Sequence, residues 1–140
     1  MVEAPHSATT HLLIDGYTED REYWAQRLLI SLPDSVVLQA ATGAEGVAIC
    51  RSQRVDCVIT ELTLPDMSGF EVLVKLVPRA YRPEMPVIIL SRTMLLTVVQ
   101  LARNNGAQAY LMKSQISGDQ LEQTILKALA TVGSRKKSGF

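Results

Sequence analysis

The sequence predicts a doubly wound α/β domain on five parallel strands, and three observations carry that prediction. Five short apolar runs alternate with five stretches of helical period over 140 residues, a length that suits one domain with its own core. The runs Val55–Thr60 and Val87–Ser91 are almost continuously apolar, which marks strands buried on both faces rather than on one. The first run ends in Asp15, and the third ends in Glu61 before turning through Pro65 and Gly69 into a helix. Such alternation means βαβ units with right-handed crossovers. Five strands fit the flavodoxin-like order 2-1-3-4-5, with helices on both faces.

His11-Leu-Leu-Ile-Asp15 is the first strand. Thr18 offers an N-cap for a helix to about Ser31, with Glu19, Asp20 and Glu22 in the first turn, where the dipole favours acids, and Trp24 as a packing residue. Ser35–Ala40 is the second strand. Thr42 and Glu45 form a capping box for the next helix, which turns Ala44, Val47, Ala48 and Cys50 inward. After the third strand, a helix runs from about Phe70 to Val77 and stops at Pro78 and the Arg-Pro-Glu-Met-Pro segment. Val87–Ser91 is the fourth strand. A helix over Thr93–Asn104 ends at Asn105-Gly106. Ala109–Lys113 is the fifth strand, and the last helix spans Ser117–Val132, capped by Ser117 and ended by Gly133.

Formal charge is zero, so there is no electrostatic case for a direct nucleic-acid or membrane partner. No apolar run reaches the length of a membrane span, and Met1–Thr10 lacks a signal-peptide layout. Cys50 and Cys57 have neither metal-ligand nor redox-motif spacing and read as reduced core thiols, so a cytoplasmic setting is expected. The domain is expected over residues 10–132, with a flexible N-terminus over 1–9 and a basic tail or the start of a linker over 133–140.

In the order 2-1-3-4-5 the first and third strands are neighbours at the switch point, where open α/β sheets place their sites. The crevice collects Asp15, Gly16, Glu61 and the loop after it, and the ends of strands four and five add Ser91 and Lys113. Each residue alone has a plainer reading: Glu61 as a strand-end acid satisfied by a helix N-terminus, Lys113 as a solvated lysine, Tyr110 as packing. Asp56 and Asp66 read as a strand-start acid and a turn acid. Taken together, the landmarks are more specific. They are the acid-ended strand Leu12–Asp15, the step from Asp56 to Glu61, then Pro65 and Gly69. Ile88-Ile-Leu-Ser91 follows, then Gly106-Ala107, and Tyr110 three residues before Lys113.

In that order and at those intervals, the chain from about Thr10 to Val132 resembles the receiver domain of response regulators in two-component (phosphorelay) signalling. The resemblance implies a strand-end Asp that takes a phosphoryl group from a histidine kinase, and acids at the end of strand one that hold Mg²⁺ together with that Asp and a backbone carbonyl. It also implies a Lys and a Ser or Thr on the phosphoryl oxygens, and an aromatic that follows the hydroxyl inward. Ser91, Tyr110 and Lys113 match these roles. Three positions depart: Glu61 stands at the phospho-acceptor position, Gly16 replaces the second acid of the pair, and Arg92 replaces a small residue after Ser91.

Glu is longer than Asp by one C–C bond, about 1.5 Å, and misplacement of about 1 Å can cost on the order of 100-fold in a positioned reaction. Loss of an acid weakens any Mg²⁺ site left on Asp15, Glu61 and Thr63, so Mg²⁺ is disfavoured and no cofactor is expected. The sequence thus reads as a degenerate receiver (a pseudo-receiver), in which Glu61 pairs with Lys113, Arg92 or both. It is expected to signal through protein contacts without phosphorylation and not to act as an enzyme. The partner is expected to be a histidine kinase or an output domain or protein. A homodimer is a further expectation, through the face of helix 4, strand 5 and helix 5, where Leu95, Val98, Val99 and Leu101 exceed one buried stripe. The alternatives are an active Mg²⁺-dependent phospho-accepting receiver and, less favoured, a small-ligand-binding flavodoxin-like domain. The acidic stretch after strand one argues against the latter, because it would repel phosphate.

Overall fold

The computed structural model describes residues 8–79 and 84–137, with side chains through Val132. The expected flexibility of the first residues falls mostly outside this range, as do part of the Arg-Pro-Glu-Met-Pro segment and the side chains of the basic tail. Five strands, β1 (Thr10–Ile14), β2 (Val36–Ala40), β3 (Cys57–Thr60), β4 (Val87–Ser91) and β5 (Ala109–Met112), form one parallel sheet in the order β2-β1-β3-β4-β5. The helices are α1 (Thr18–Ser31), α2 (Gly43–Ser52), α3 (Gly69–Leu76), α4 (Leu96–Asn104) and α5 (Gly118–Lys137). Both the order and the parallel pairing are those the sequence predicts.

Side chains alternate along each strand, so the sheet builds two cores. Leu12, Ile14, Val58 and Ile89 pack with Val47 of α2, Val72 and Leu73 of α3, and Val99 and Ala102 of α4. Leu13, Ile59, Ile88 and Leu90 pack with Trp24 and Leu28 of α1 and Leu121 and Ile125 of α5. Each fully buried aliphatic side chain contributes about 1.5–3 kcal/mol. The central strands need no polar face because helices cover both sides; β2, at the edge, leaves Val36 about half exposed.

Five local expectations change. Tyr17, not Thr18, is the N-cap of α1, and its N–H donates to Asp15 Oδ1 at 2.9 Å. The buried face of α2 is Gly43, Gly46 and Val47, while Ala44 and Ala48 are exposed. Its capping box is shifted too: Thr42 Oγ1 accepts from the Glu45 N–H, but the Glu45 carboxylate accepts from Ala41 rather than from Thr42. Helix α4 begins at Leu96 rather than Thr93, because the main chain of residues 92 and 93 is committed to the site described below. Helix α5 runs through Gly133 to Lys137, so the backbone assigned to a tail is helical at its start. An isolated glycine weakens a helix by about 1 kcal/mol without ending it. Among the described residues only Gly106, which follows α4, takes the left-handed φ of a helix stop.

Candidate functional site

Strand register assembles the site. Ile14 lies beside Thr60 in the β1–β3 pair, so the next residues, Asp15 and Glu61, leave the sheet together at its carboxyl edge. Ser91 lies beside Met112 in the β4–β5 pair, which brings Lys113 to the same edge in a short 3₁₀ turn, Lys113–Gln115. The loop after Glu61 folds back tightly: the Gly69 N–H donates to Leu62 O at 2.7 Å, and a Cβ at Gly69 would stand 2.3 Å from Glu61 O. Only glycine permits that approach.

Glu61 is 1% exposed. A buried carboxylate is costly unless its lone pairs are filled, and five donors fill them. Oε1 accepts from Ser91 Oγ at 2.7 Å, from Leu62 N–H at 2.9 Å and from Thr63 N–H at 3.3 Å. Oε2 accepts from Arg92 N–H at 3.2 Å and pairs with Lys113 Nζ at 2.7 Å. Lys113 Nζ also holds Asp15 Oδ2 at 2.7 Å and Asp20 Oδ2 at 2.9 Å, so three carboxylates surround one ammonium. Burial alone would lower the Lys113 pKa, but hydrogen bonds to Asp15, Glu61 and Asp20 reverse this and hold it above its ordinary value. Asp15 moves the other way from a paired acid: burial raises its pKa despite Lys113 and the Tyr17 N–H.

Ser91 and Tyr110 belong to the same arrangement. Ser91 is fully buried and its hydroxyl points at Glu61, while the Thr93 N–H donates back to Ser91 Oγ at 3.2 Å. Tyr110 is buried, and its hydroxyl donates to Thr93 O at 2.9 Å. Burial raises the pKa of that phenol, and the charge of Glu61 adds to the effect. The structure therefore brings Asp15, Glu61, Ser91, Tyr110 and Lys113 together as the sequence grouped them.

Arg92 departs from the sequence expectation. Only its backbone N–H reaches Glu61. Its guanidinium turns to α1, where Nε and Nη2 donate to the two oxygens of Asp20 at 2.8 and 3.3 Å, and it lies 3.6 Å over the Tyr17 ring. The reason is electrostatic: Lys113 already serves Glu61 and Asp15, whereas Asp20 sits at the rim, where it shares Oδ2 between Lys113 and Arg92 Nε and takes Arg92 Nη2 on Oδ1. The hydrogen bond from Arg92 comes first among the causes that lower the Asp20 pKa. Asp20 and Tyr17 are the site residues that sequence reasoning misses, since Asp20 reads locally as a dipole-favoured acid in a first helical turn. The available signal was its position, because the helix after strand one starts at the same sheet edge as the site.

The acids as arranged do not fit Mg²⁺. The focus of the three carboxylates holds the Lys113 ammonium, and no group of three or more His, Cys, Asp or Glu side chains among the described residues is placed to hold a metal ion. A second acid at position 16 would require Pro65 to shift, because a Cβ there would stand 2.7 Å from Pro65 Cδ. Thr63 meets Glu61 through its N–H and sits at the exposed surface. Asp66 faces away, accepting from the Gly43 and Ala44 N–H groups at the start of α2, and these bonds lower its pKa. Both cysteines are far from thiolate character, with burial pushing Cys50 up to about 11 and Cys57 higher still. Among the described residues no helix is long and apolar enough to cross a membrane.

A family model described as the response regulator receiver domain matches residues 12–126. Protein PilH of Pseudomonas aeruginosa is 31% identical over 96 residues, which are 69% of this chain and 75% of PilH. The nitrate/nitrite response regulator protein NarL of Escherichia coli (strain K12) is 32% identical over 121 residues, covering 86% of this chain and 52% of NarL, so the chain spans about half that relative's length. Among solved structures, the response regulator receiver domain protein (CheY-like) from Methanospirillum hungatei JF-1 superposes with a TM-score of 0.80 at 28% identity, over 94% of this chain and 99% of that one.

Proposed function

This chain belongs to the response regulator receiver family of two-component signalling, and on that premise we propose that it signals by protein contact without being phosphorylated. The observation that carries the reading is the set of donors on Glu61. In the family, the strand-four hydroxyl and the strand-five lysine meet phosphoryl oxygens. Here Ser91 and Lys113 meet the Glu61 carboxylate instead, with the Arg92, Leu62 and Thr63 N–H groups filling the remaining lone pairs. The inward Ser91 and the buried Tyr110 support a switch held in one position by a permanent side chain. A carboxylate carries one charge where phosphorylation adds up to about two, so the imitation is geometric more than electrostatic.

Receiver domains work with histidine kinases and output domains, and relatives of this chain include the transcriptional regulatory protein GlrR of Escherichia coli (strain K12). The partner of this chain is accordingly a kinase, an output domain or a second copy. Leu95, Leu96 and Leu101 support docking at α4: all three remain exposed, and Leu101 lines an apolar depression with Leu62, Met67, Phe70 and Val98. Val99, by contrast, is buried in the core.

The test is incubation with acetyl phosphate and Mg²⁺, followed by intact-mass analysis and acid-lability of any adduct. The expected result is no stoichiometric phosphate. Acid-labile phosphate on Glu61 or a neighbouring Asp would establish the active Mg²⁺-dependent receiver in its place.

A further inference from the structure

Asp20 is the residue that touches both cations of the site. Its Oδ2 accepts from Lys113 Nζ at 2.9 Å and from Arg92 Nε at 2.8 Å, while its Oδ1 takes Arg92 Nη2 at 3.3 Å. Arg92 is anchored at both ends, by its backbone N–H on Glu61 and by its guanidinium on Asp20. Its planar head also stacks on Tyr17, and Tyr17 N–H is tied to Asp15. Exposure falls steeply across this layer: the Arg92 side chain is 51% exposed and Asp20 23%, but Lys113 is 8% and Glu61 1%.

From this geometry we infer that Tyr17, Asp20 and Arg92 form a strap across the mouth of the Glu61 pocket, with Asp20 and Arg92 as its positioning residues. The strap joins the β1–α1 side of the sheet to the β4–α4 loop, over 72 positions of sequence. It has two consequences. It roofs Glu61 and Lys113, so that a small phosphodonor or a hydrated divalent cation meets a guanidinium stacked on a phenol ring rather than open carboxylates. It also pins the loop at residue 92, next to the Ser91 and Thr93 hydrogen bonds, and so holds the start of α4 at Leu96 with Leu95 and Leu96 outward.

A guanidinium suits this task better than an ammonium. It binds both carboxylate oxygens in a fixed fork and lies flat on an aromatic face. Asp20 supplies a carboxylate where position 16 carries none and where Pro65 crowds the space beside Gly16. The inference rests on the phosphorylation-independent reading above and adds the part of the molecule that closes the site.

Hydrogen exchange and fluorescence on the full chain test it. Trp24, the single tryptophan, lines the same depression as Asp20, Arg92 and Lys113 and serves as the local reporter. Arg92→Ala and Asp20→Asn should each speed exchange of the amides at positions 92 and 93 by about tenfold, with the β3 amides unchanged as a control for folding. Each should raise acrylamide quenching of Trp24. Because residue 92 is pinned through the shared Arg92–Asp20 contact, exchange of the amides at positions 92 and 93 in the double variant should be no faster than in either single one, and Arg92→Lys should recover only part of the protection. Wild-type loop exchange in both single variants, or additive effects in the double variant, would overturn the strap. Neither result bears on acetyl phosphate labelling of the wild-type chain, so the strap and the phosphorylation-independent reading fail by separate measurements.

Discussion

Strand β3 carries a carboxylate at each end, Asp56 just before Cys57 and Glu61 just after Thr60, and the two behave as different kinds of group. Asp56 accepts from Thr10 N–H at 2.8 Å and from Arg54 Nε at 3.1 Å, and Arg54 is 87% exposed. It ties β1 to β3 at the amino edge and stays partly wet. Glu61 is desolvated and surrounded by donors from the loop after it, from β4 and from the turn after β5. The same side-chain chemistry makes a local tie at one edge and the centre of a site at the other. What separates them is the crevice: parallel strands with crossovers on both faces leave open space only beyond their carboxyl ends.

The sharpest way to break this contrast is to remove the cation at one end. Lys113→Met should destabilise the domain by about 3–5 kcal/mol, because three carboxylates would then face one another with no ammonium between them. A urea midpoint shift with unchanged slope measures it. A loss below about 1 kcal/mol would show that the upper cluster is no more demanding than a surface pair.

A smaller effect sharpens the lower edge. His11 is fully buried, with Nε2 on Thr9 Oγ1 at 2.8 Å and no hydrogen-bond partner for Nδ1 among the described residues. Burial lowers its pKa, and Asp56 offsets this in part. The folded chain therefore resists a proton that the unfolded chain accepts. Stability is full above the ordinary imidazole value of 6.5 and falls as pH drops from there through the lowered folded value. His11→Phe should flatten that part of the curve, as read by urea unfolding at pH 7.5 and 5.5. Equal slopes in wild type and variant would assign the loss elsewhere. Asp20, with its lowered pKa, contributes the same sign of loss only near and below 3.8, and Asp15, with its raised pKa, opposes it.

The smallest effect is Arg54→Ala, which should stay within about 0.5 kcal/mol of wild type because the pair is open to solvent. A loss approaching that of Lys113→Met would erase the distinction between the two ends of the strand.

Much of this was legible in the chain. Continuous apolar strands and the alternation of periods pointed to a parallel doubly wound sheet that fits the order 2-1-3-4-5, strand-end positions grouped Asp15, Glu61, Ser91 and Lys113, and the receiver resemblance added Tyr110. Helix boundaries were less legible where tertiary bonds compete with local signals. Thr93 opens the helix expected from the sequence, but its carbonyl is taken by Tyr110 and its N–H by Ser91. Gly133 looks like a stop, yet α5 continues through it.

The sequence by itself determined the family, the fold and the exchange of Asp for Glu at position 61, because these follow from residue order and hydrophobic period. Only the tertiary structure decided which cation serves which acid. Lys113 and Arg92 carry the same charge, and no local pattern ranks their partners. Their reach and burial do: Lys113 rises at the centre of the carboxylates, while Arg92 sits at the rim, where Asp20 and Tyr17 are within the span of a planar fork.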